Sequence, residues 1–426
     1  MVSLLFIIGG NDKYKYVEKE RRRNAARYPE RSQETPTEND PPSHHNAGCS
    51  YNDFWGRMFD DGYADIQLLE GDVSPLDVSA AQPLKSLSYS TGKFKNGAVG
   101  LCSVGVTSCL NPLLQTLYMY KEFTDLLCRI GEAGDNVPAE RRFPYELVAL
   151  FMDMQDSRED AVPPHRVLRC LLMAKLTLFA EVDVADVFSS FWNHLLQNMP
   201  DRPLEEALRS LFTISLEERL TCDRCHRQSS APRDLLSLPL RVSHSKYHRK
   251  LTLERALWRY FRCQDSYGEE NVCPKCGKNS RPAKVTLLRS LPRTFTVHLT
   301  RLCKTRSPIQ KINRTVTFPP TLDLMEILGP EHLPEDEQPT THYNYRLFAV
   351  ISHSGTATFG HFSAYIQSCR DGGWYFFNDS CVCKVSWDDV KCTYGNTAFH
   401  WGSTASLLIY VHSDVSTVTS GSGALP

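Results

Sequence analysis

Gly360-His361-Phe362-Ser363-Ala364-Tyr365-Ile366-Gln367, then Asp371-Gly372-Gly373, then Trp374-Tyr375-Phe376-Phe377-Asn378-Asp379 reads as two strands and the turn between them. In the first run His361, Ser363, Tyr365 and Gln367 share one face, and Phe362, Ala364 and Ile366 take the other, the two-residue period of a strand. Asp371-Gly372-Gly373 is a strong turn signal, so Trp374 to Phe377 should return antiparallel and bring Asn378 back beside His361. A lone histidine is more often a structural residue than a reactive one. A histidine met by a returning strand that ends in Asn378-Asp379 is instead an imidazole with an orienting group at hand.

Around this hairpin the second half of the chain continues in short apolar runs separated by turn residues. Leu235 to Leu240, Phe295 to Leu302, Thr315 to Phe318, Leu347 to Ile351 and Leu407 to Val411 all read as strands. Earlier, between Gly97 and about Ser215, the spacing is helical. Leu110, Leu113, Leu114 and Leu117 form one stripe, Leu147, Leu150, Phe151 and Met154 a second, and Val184, Val187, Phe188, Phe191 and Leu195 a third. Helices first and sheet later predict an α+β fold rather than alternating βαβ units. No internal repeat is visible.

Two Cys-x-x-Cys pairs, Cys222/Cys225 and Cys273/Cys276, stand about fifty residues apart in a chain of 426 residues with 15 cysteines. An odd count in a large chain argues against a disulfide framework and for a reducing compartment. Four thiolates suit a closed tetrahedral site for structural Zn2+, with no position left for substrate or water. The spacing predicts that the knuckles cap neighbouring strand pairs, with a loop excursion between them. Hydrophobic residues make up 41% of the chain, enough for a large core. Forty-eight basic against 49 acidic residues leave a net charge of -1, so no global field favours nucleic acid or an anionic membrane.

Residues 1–96 show poor hydrophobic periodicity and are expected to form a mobile extension, as 413–426 are expected to form a disordered tail. Met1 to Ile8 is apolar but too short to insert into a membrane. Lys19 to Arg23 is basic, read either as an import signal or, more commonly for such a run, as a solvated helix face. Tyr51 to Leu69, with Phe54, Trp55, Met58, Phe59 and Tyr63, suits an amphipathic helix that packs locally or binds a partner.

Leu347 to Tyr410, with His353-Ser354-Gly355, Gly360-His361-Phe362, Asn378-Asp379 and Ala405 to Tyr410, resembles the histidine box of the ubiquitin-specific thiol proteases. Leu291-Pro292, His298-Leu299-Thr300-Arg301 and Val316 to Leu324 match two further family segments, and Gly105-Val106-Thr107-Ser108-Cys109-Leu110-Asn111 matches the nucleophile box. The resemblance spans about 97–412. It implies a papain-like fold with a helical thumb (about 97–215), zinc-bearing β fingers (about 216–290) and a β-sheet palm (about 291–412). Met154 to Arg158, Asn378-Asp379-Ser380, Val385-Ser386-Trp387 and Cys392 to Asn396 resemble more narrowly an interferon-induced branch of the family. That branch removes an interferon-stimulated ubiquitin-like modifier from lysines and dampens interferon signalling without catalysis. Ubiquitin or that modifier, with its conjugates, is thus the implied substrate, and interferon-receptor components are implied partners. No nucleic acid or membrane insertion is expected. The cytosol is the expected compartment, with the nucleus second.

By this resemblance His361 is the general base, Asn378 its orienting group and Asp379 a support. Ser108, however, stands at the position of the nucleophilic cysteine, and Ser103 where the family has an asparagine that donates to the oxyanion. A cysteine beside histidine becomes a resident thiolate, its pKa falling from about 8.5 to roughly 3.5–7.5; a serine forms no such ion pair. Loss of an oxyanion donor costs about 2.7–4 kcal/mol in the transition state. The two departures set a catalytically impaired scaffold against an active isopeptidase. Cys109 is a weaker alternative nucleophile, because one residue along a helix turns its side chain by roughly 100°. Pro112 can shift the first helical turn by one residue, which keeps that alternative open.

Overall fold

The computed structural model describes residues 98–413 apart from 104–108, 132–136, 177–182, 243–250, 263–270, 274, 278, 281–282, 304–308, 335–342, 358–359 and 396–402. Contacts group the chain into Met1–Ser86 and Leu87–Pro426. The expected mobile extension, the Tyr51 to Leu69 helix and the basic run lie outside the described residues, as does the expected tail beyond Ser413.

Strand β1 (Gly100–Leu101) pairs in parallel with β2 (Ala161–Val162). Among the described residues six α-helices follow in the first half: α1 (Leu110–Met119), α2 (Lys121–Leu127), α3 (Phe143–Asp156), α4 (His165–Met173), α5 (Val184–Gln197) and α6 (Arg202–Phe212). The three apolar stripes read from the spacing are buried on α1, α3 and α5. Local sequence starts α5 cleanly, since the Asp183 carboxylate accepts from the Ala185 amide at 3.3 Å. Phe123 packs against Phe151, Trp192 and Phe212, with ring centroids 6.1–6.4 Å apart. Tyr120 carries this core over to the sheet. Its ring meets Phe348, and its hydroxyl accepts from Thr294 at 3.1 Å.

From Ile214 onward the chain is mostly strand. β3 (Ile214–Thr221), β4 (Gln228–Leu235) and a later β9 (Ala283–Leu288) form a three-stranded antiparallel sheet. Between them come β5 (Leu238–Arg241), β6 (Leu251–Thr252), α7 (Leu253–Arg262) and the small antiparallel pair β7 (Asn271–Val272) and β8 (Asn279–Ser280). Leu235 to Leu240 is therefore not one strand. A bend at 236–237 separates β4 from β5, which join different sheets, because the alternating burial of β5 faces a different core from the exposed β4.

The remaining elements are β10 (Thr294–Thr300), β11 (Leu302–Cys303), β12 (Gln310–Lys311), β13 (Val316–Thr317), β14 (Thr321–Asp323), α8 (Leu324–Leu328), β15 (Asn344–Gly355), β16 (Gly360–Gln367), β17 (Trp374–Asn378), β18 (Cys381–Val385), α9 (Trp387–Lys391) and β19 (Thr404–His412). The large sheet runs β18-β17-β16-β15-β19-β10-β5, with β14 pairing β15. Phe295 to Leu302, expected as one strand, is broken at Arg301. That guanidinium turns inward, donating through Nε to the Ala405 carbonyl (2.8 Å) and through Nη1 to those of Ile312 (3.0 Å) and Arg314 (2.7 Å). Thr315 to Phe318 shortens to β13, while the runs at 347–351 and 407–411 extend to β15 and β19. The fold is α+β as expected. Among the described residues no helix is long and apolar enough to cross a membrane.

Candidate functional site

His361 lies near the start of β16 and Asn378 ends the antiparallel β17, so the hairpin returns one to the other. Their side chains meet, with His361 Nε2 2.5 Å from Asn378 Oδ1. An amide oxygen only accepts, so Nε2 carries the proton and the lone pair of Nδ1 is left to take another. That arrangement can serve as a general base held by a neutral orienting group.

Asp379 ties this hairpin to the first half of the chain. Its backbone takes the left-handed conformation at φ 52°, which is costly for a residue with a Cβ. Three contacts hold it there. The Asp379 carbonyl accepts from the Leu101 amide at 3.0 Å, Oδ1 accepts from Asn111 Nδ2 at 2.7 Å, and Oδ2 stands 3.9 Å from His361 Nε2. The structure thus brings His361, Asn378 and Asp379 together.

Asn111 is a residue to which sequence reasoning gave no role. It is fully buried, and its amide nitrogen donates both to Asp379 and to the Cys102 carbonyl at 3.2 Å. One turn on, Gln115 donates to the Val99 carbonyl at 3.1 Å. The pair pins the segment leading to Ser103 against α1. Its signal was available: two amides four residues apart interrupt an otherwise apolar helix, and a buried amide needs partners. Asn111→Leu should lower unfolding free energy by about 1–3 kcal/mol, since it strands a buried carboxylate and a carbonyl. Urea unfolding followed by circular dichroism measures this, and an unchanged midpoint would remove Asn111 from the network.

Ser108 falls in 104–108, outside the described residues. Ser103 is exposed at the end of the pinned segment. Cys109 is buried and occupies the N-cap of α1, with φ -86° and ψ -31°. The helix starts at Leu110, so Pro112 is its third residue. In the first turn a backbone N-H has no intrahelical partner, so proline costs nothing there and need not displace the helix.

The two cysteine pairs come together away from this hairpin. Cys222 and Cys225 sit in the turn between β3 and β4, Cys273 and Cys276 in the turn between β7 and β8. His226 and Gly277, each just after its pair, take φ 55° and φ 66°, and their amides donate to the Cys222 and Cys273 carbonyls at 3.0 and 2.9 Å. The knuckles are thus folded alike. All four sulfurs lie within 4.8 Å of one another. A tetrahedral ion with metal-sulfur bonds of about 2.3 Å separates its sulfurs by about 3.8 Å, and Cys225 Sγ and Cys273 Sγ are 3.8 Å apart. The four residues therefore fit one metal ion.

Comparison with known proteins gives the family. Residues 99–410 match the family model described as ubiquitin carboxyl-terminal hydrolase. The chain is 38% identical over 319 residues to Ubl carboxyl-terminal hydrolase 18 of Homo sapiens, covering 75% of this chain and 86% of that protein. It is 39% identical over 315 residues to the Mus musculus protein of the same name, covering 74% and 86%. Ubiquitin carboxyl-terminal hydrolase 47 of Xenopus laevis is 25% identical over 392 residues, covering 76% of this chain but 29% of that longer protein. The chain belongs to the ubiquitin carboxyl-terminal hydrolase family and has its papain-like α+β fold.

Proposed function

We propose that this chain recognises a ubiquitin-like modifier and that its site is built to cleave the isopeptide bond after the modifier's C-terminal Gly-Gly. The observation that carries this reading is the array His361, Asn378, Asp379 and Asn111, which links the hairpin to the helix that follows position 108. In the reaction the hydroxyl of Ser108 attacks the carbonyl while His361 Nδ1 takes its proton. Asn378 fixes the ring, Asp379 supports the imidazolium, and the Ser103 hydroxyl donates to the oxyanion. His361 then returns the proton to the leaving lysine amine, and water hydrolyses the ester.

Residues 97–215 act as thumb, 216–290 as fingers and 291–412 as palm. The ion held by Cys222, Cys225, Cys273 and Cys276 is Zn2+ in a purely structural role, because four thiolates close its coordination sphere. The printed names of the mammalian relatives favour a ubiquitin-like modifier over ubiquitin as substrate. Regulation of interferon signalling through receptor components, in the cytosol first and the nucleus second, is what the resemblance implies.

A second reading rests on Ser108 and Ser103: a scaffold that binds a modifier or a signalling partner without turning it over. Two measurements on the natural chain separate the readings. These are intact mass after incubation with ubiquitin and the interferon-induced modifier, each carrying a C-terminal electrophile, and calorimetric titration with the unmodified modifiers. Binding with an adduct on residue 108 or on Cys109 supports the enzyme, and an adduct on Cys109 places the nucleophile one residue along. Binding without an adduct supports the scaffold, and no binding of either modifier overturns both.

A further inference from the structure

The short pair β11 and β12 ends in the half-buried Lys311. Burial first, and then the neighbouring Arg301, push its ammonium down to about 7. Nζ donates to the carbonyls of His353 at 2.8 Å and Gly355 at 3.1 Å. These belong to the last residues of β15, on either side of Ser354, which is the register partner of His361. Strand β19, the other neighbour of β15, begins at Thr404, opposite His353. Lys311 therefore bridges two carbonyls at the end of β15, sharing that of His353 with Thr404 Oγ1, which donates to it at 3.3 Å.

His353 carries the restraint onward. Its ring lies against Gly360, where an added Cβ would meet Nε2 at 2.0 Å, and against Phe362 with centroids 4.6 Å apart. Burial, with Lys311 next, brings His353 down to about 3, so the ring is a neutral wedge at working pH. Gly360 and Phe362 are the two residues flanking His361.

We propose that Lys311 is a positioning residue: by clamping the end of β15 it seats His353 against both neighbours of His361 and so fixes the imidazole of the site. The inference rests on the reading of His361 as general base. It is tested in the full chain carrying Ser108→Cys, by comparing Lys311 with Lys311→Met and Lys311→Arg. Three quantities are read: the rate of adduct formation with the modifier probe, the Kd for unmodified modifier, and the His361 ring carbon resonance. The resonance is also followed in the natural Ser108 chain, where no reaction is needed.

Lys311→Met should slow adduct formation by about tenfold to a hundredfold, the scale of a small misplacement of a reacting group. The Kd should stay unchanged and the His361 resonance should move. Lys311→Arg should recover most of the rate. If Lys311→Met does not fold, Lys311→Gln, whose shorter amide cannot span both carbonyls, should show the same loss. Equal rates with an unmoved resonance, or no recovery in Lys311→Arg, would overturn the inference. Failure of the Ser108→Cys chain itself to react would count against His361 as base, while the resonance in the natural chain still decides whether Lys311 positions the ring.

Discussion

Ser108→Cys is expected to raise the rate of adduct formation with a modifier probe by about four to six orders of magnitude, the scale on which removing the nucleophile of a hydrolytic triad acts. The site is prepared for a thiol. Asn378 Oδ1 faces His361 Nε2 at 2.5 Å, which leaves Nδ1 for a thiol, and Asp379 Oδ2 stands 3.9 Å from the same ring. A thiol beside that imidazole transfers its proton before substrate arrives, whereas the serine hydroxyl must be deprotonated during attack. The gain should nevertheless stop short of a fully furnished site. Ser103 still lacks the reach of an asparagine, and a missing oxyanion donor costs about a hundredfold to a thousandfold. The double variant Ser108→Cys/Ser103→Asn should recover that factor, and it should do so without changing modifier affinity. Stopped-flow or timed intact-mass measurements on the three proteins decide it. A Ser108→Cys chain no faster than the natural one, with modifier affinity retained, would mean that the 104–108 segment does not deliver residue 108 to His361.

Much of this arrangement was legible because local chemistry dictates it. The period of two from His361 to Gln367 and the Asp371-Gly372-Gly373 turn place Asn378 beside His361 with no knowledge of the rest of the chain. The same holds for the knuckles, where each Cys-x-x-Cys is closed by a residue in the left-handed region and set in a hairpin turn. What was illegible depends on distant partners. Leu235 to Leu240 is apolar except at Ser237, yet it divides between two sheets because β4 pairs with β3 while β5 pairs with β10. The break at Arg301 reflects carbonyls of residues 312, 314 and 405, contributed from beyond its own strand. Asn111 and Lys311 were hidden for the same reason, since each gains its meaning from acceptors on segments that spacing rules do not connect. Their type gave the only clue, as buried polar groups must be satisfied.

Removing the metal should unfold the tips of the cysteine hairpins while the palm sheet persists. β7 and β8 contribute two residues each, too few to hold a hairpin in water without a tether. A metal held by Cys222, Cys225, Cys273 and Cys276 would supply that tether, joining them to the β3-β4 turn. Binding of structural zinc by isolated finger peptides is worth about 10–16 kcal/mol at neutral pH, far more than such a hairpin contributes alone. By contrast, β3 and β4 pair over eight positions and β3 and β9 over six, so their shared sheet should outlast the ion. Metal analysis of the purified chain should find one zinc per molecule, and Cys273→Ser should release it. Hydrogen exchange after chelation should then show protection lost at 222–227 and 271–280 but kept at 344–355 and 404–412, where β15 and β19 pair. Loss of protection across the whole chain would mean that the fingers and the palm fold as one cooperative unit. Retention of protection at the knuckles would mean that the four thiols are held by packing alone, and the structural role assigned to the metal would fall.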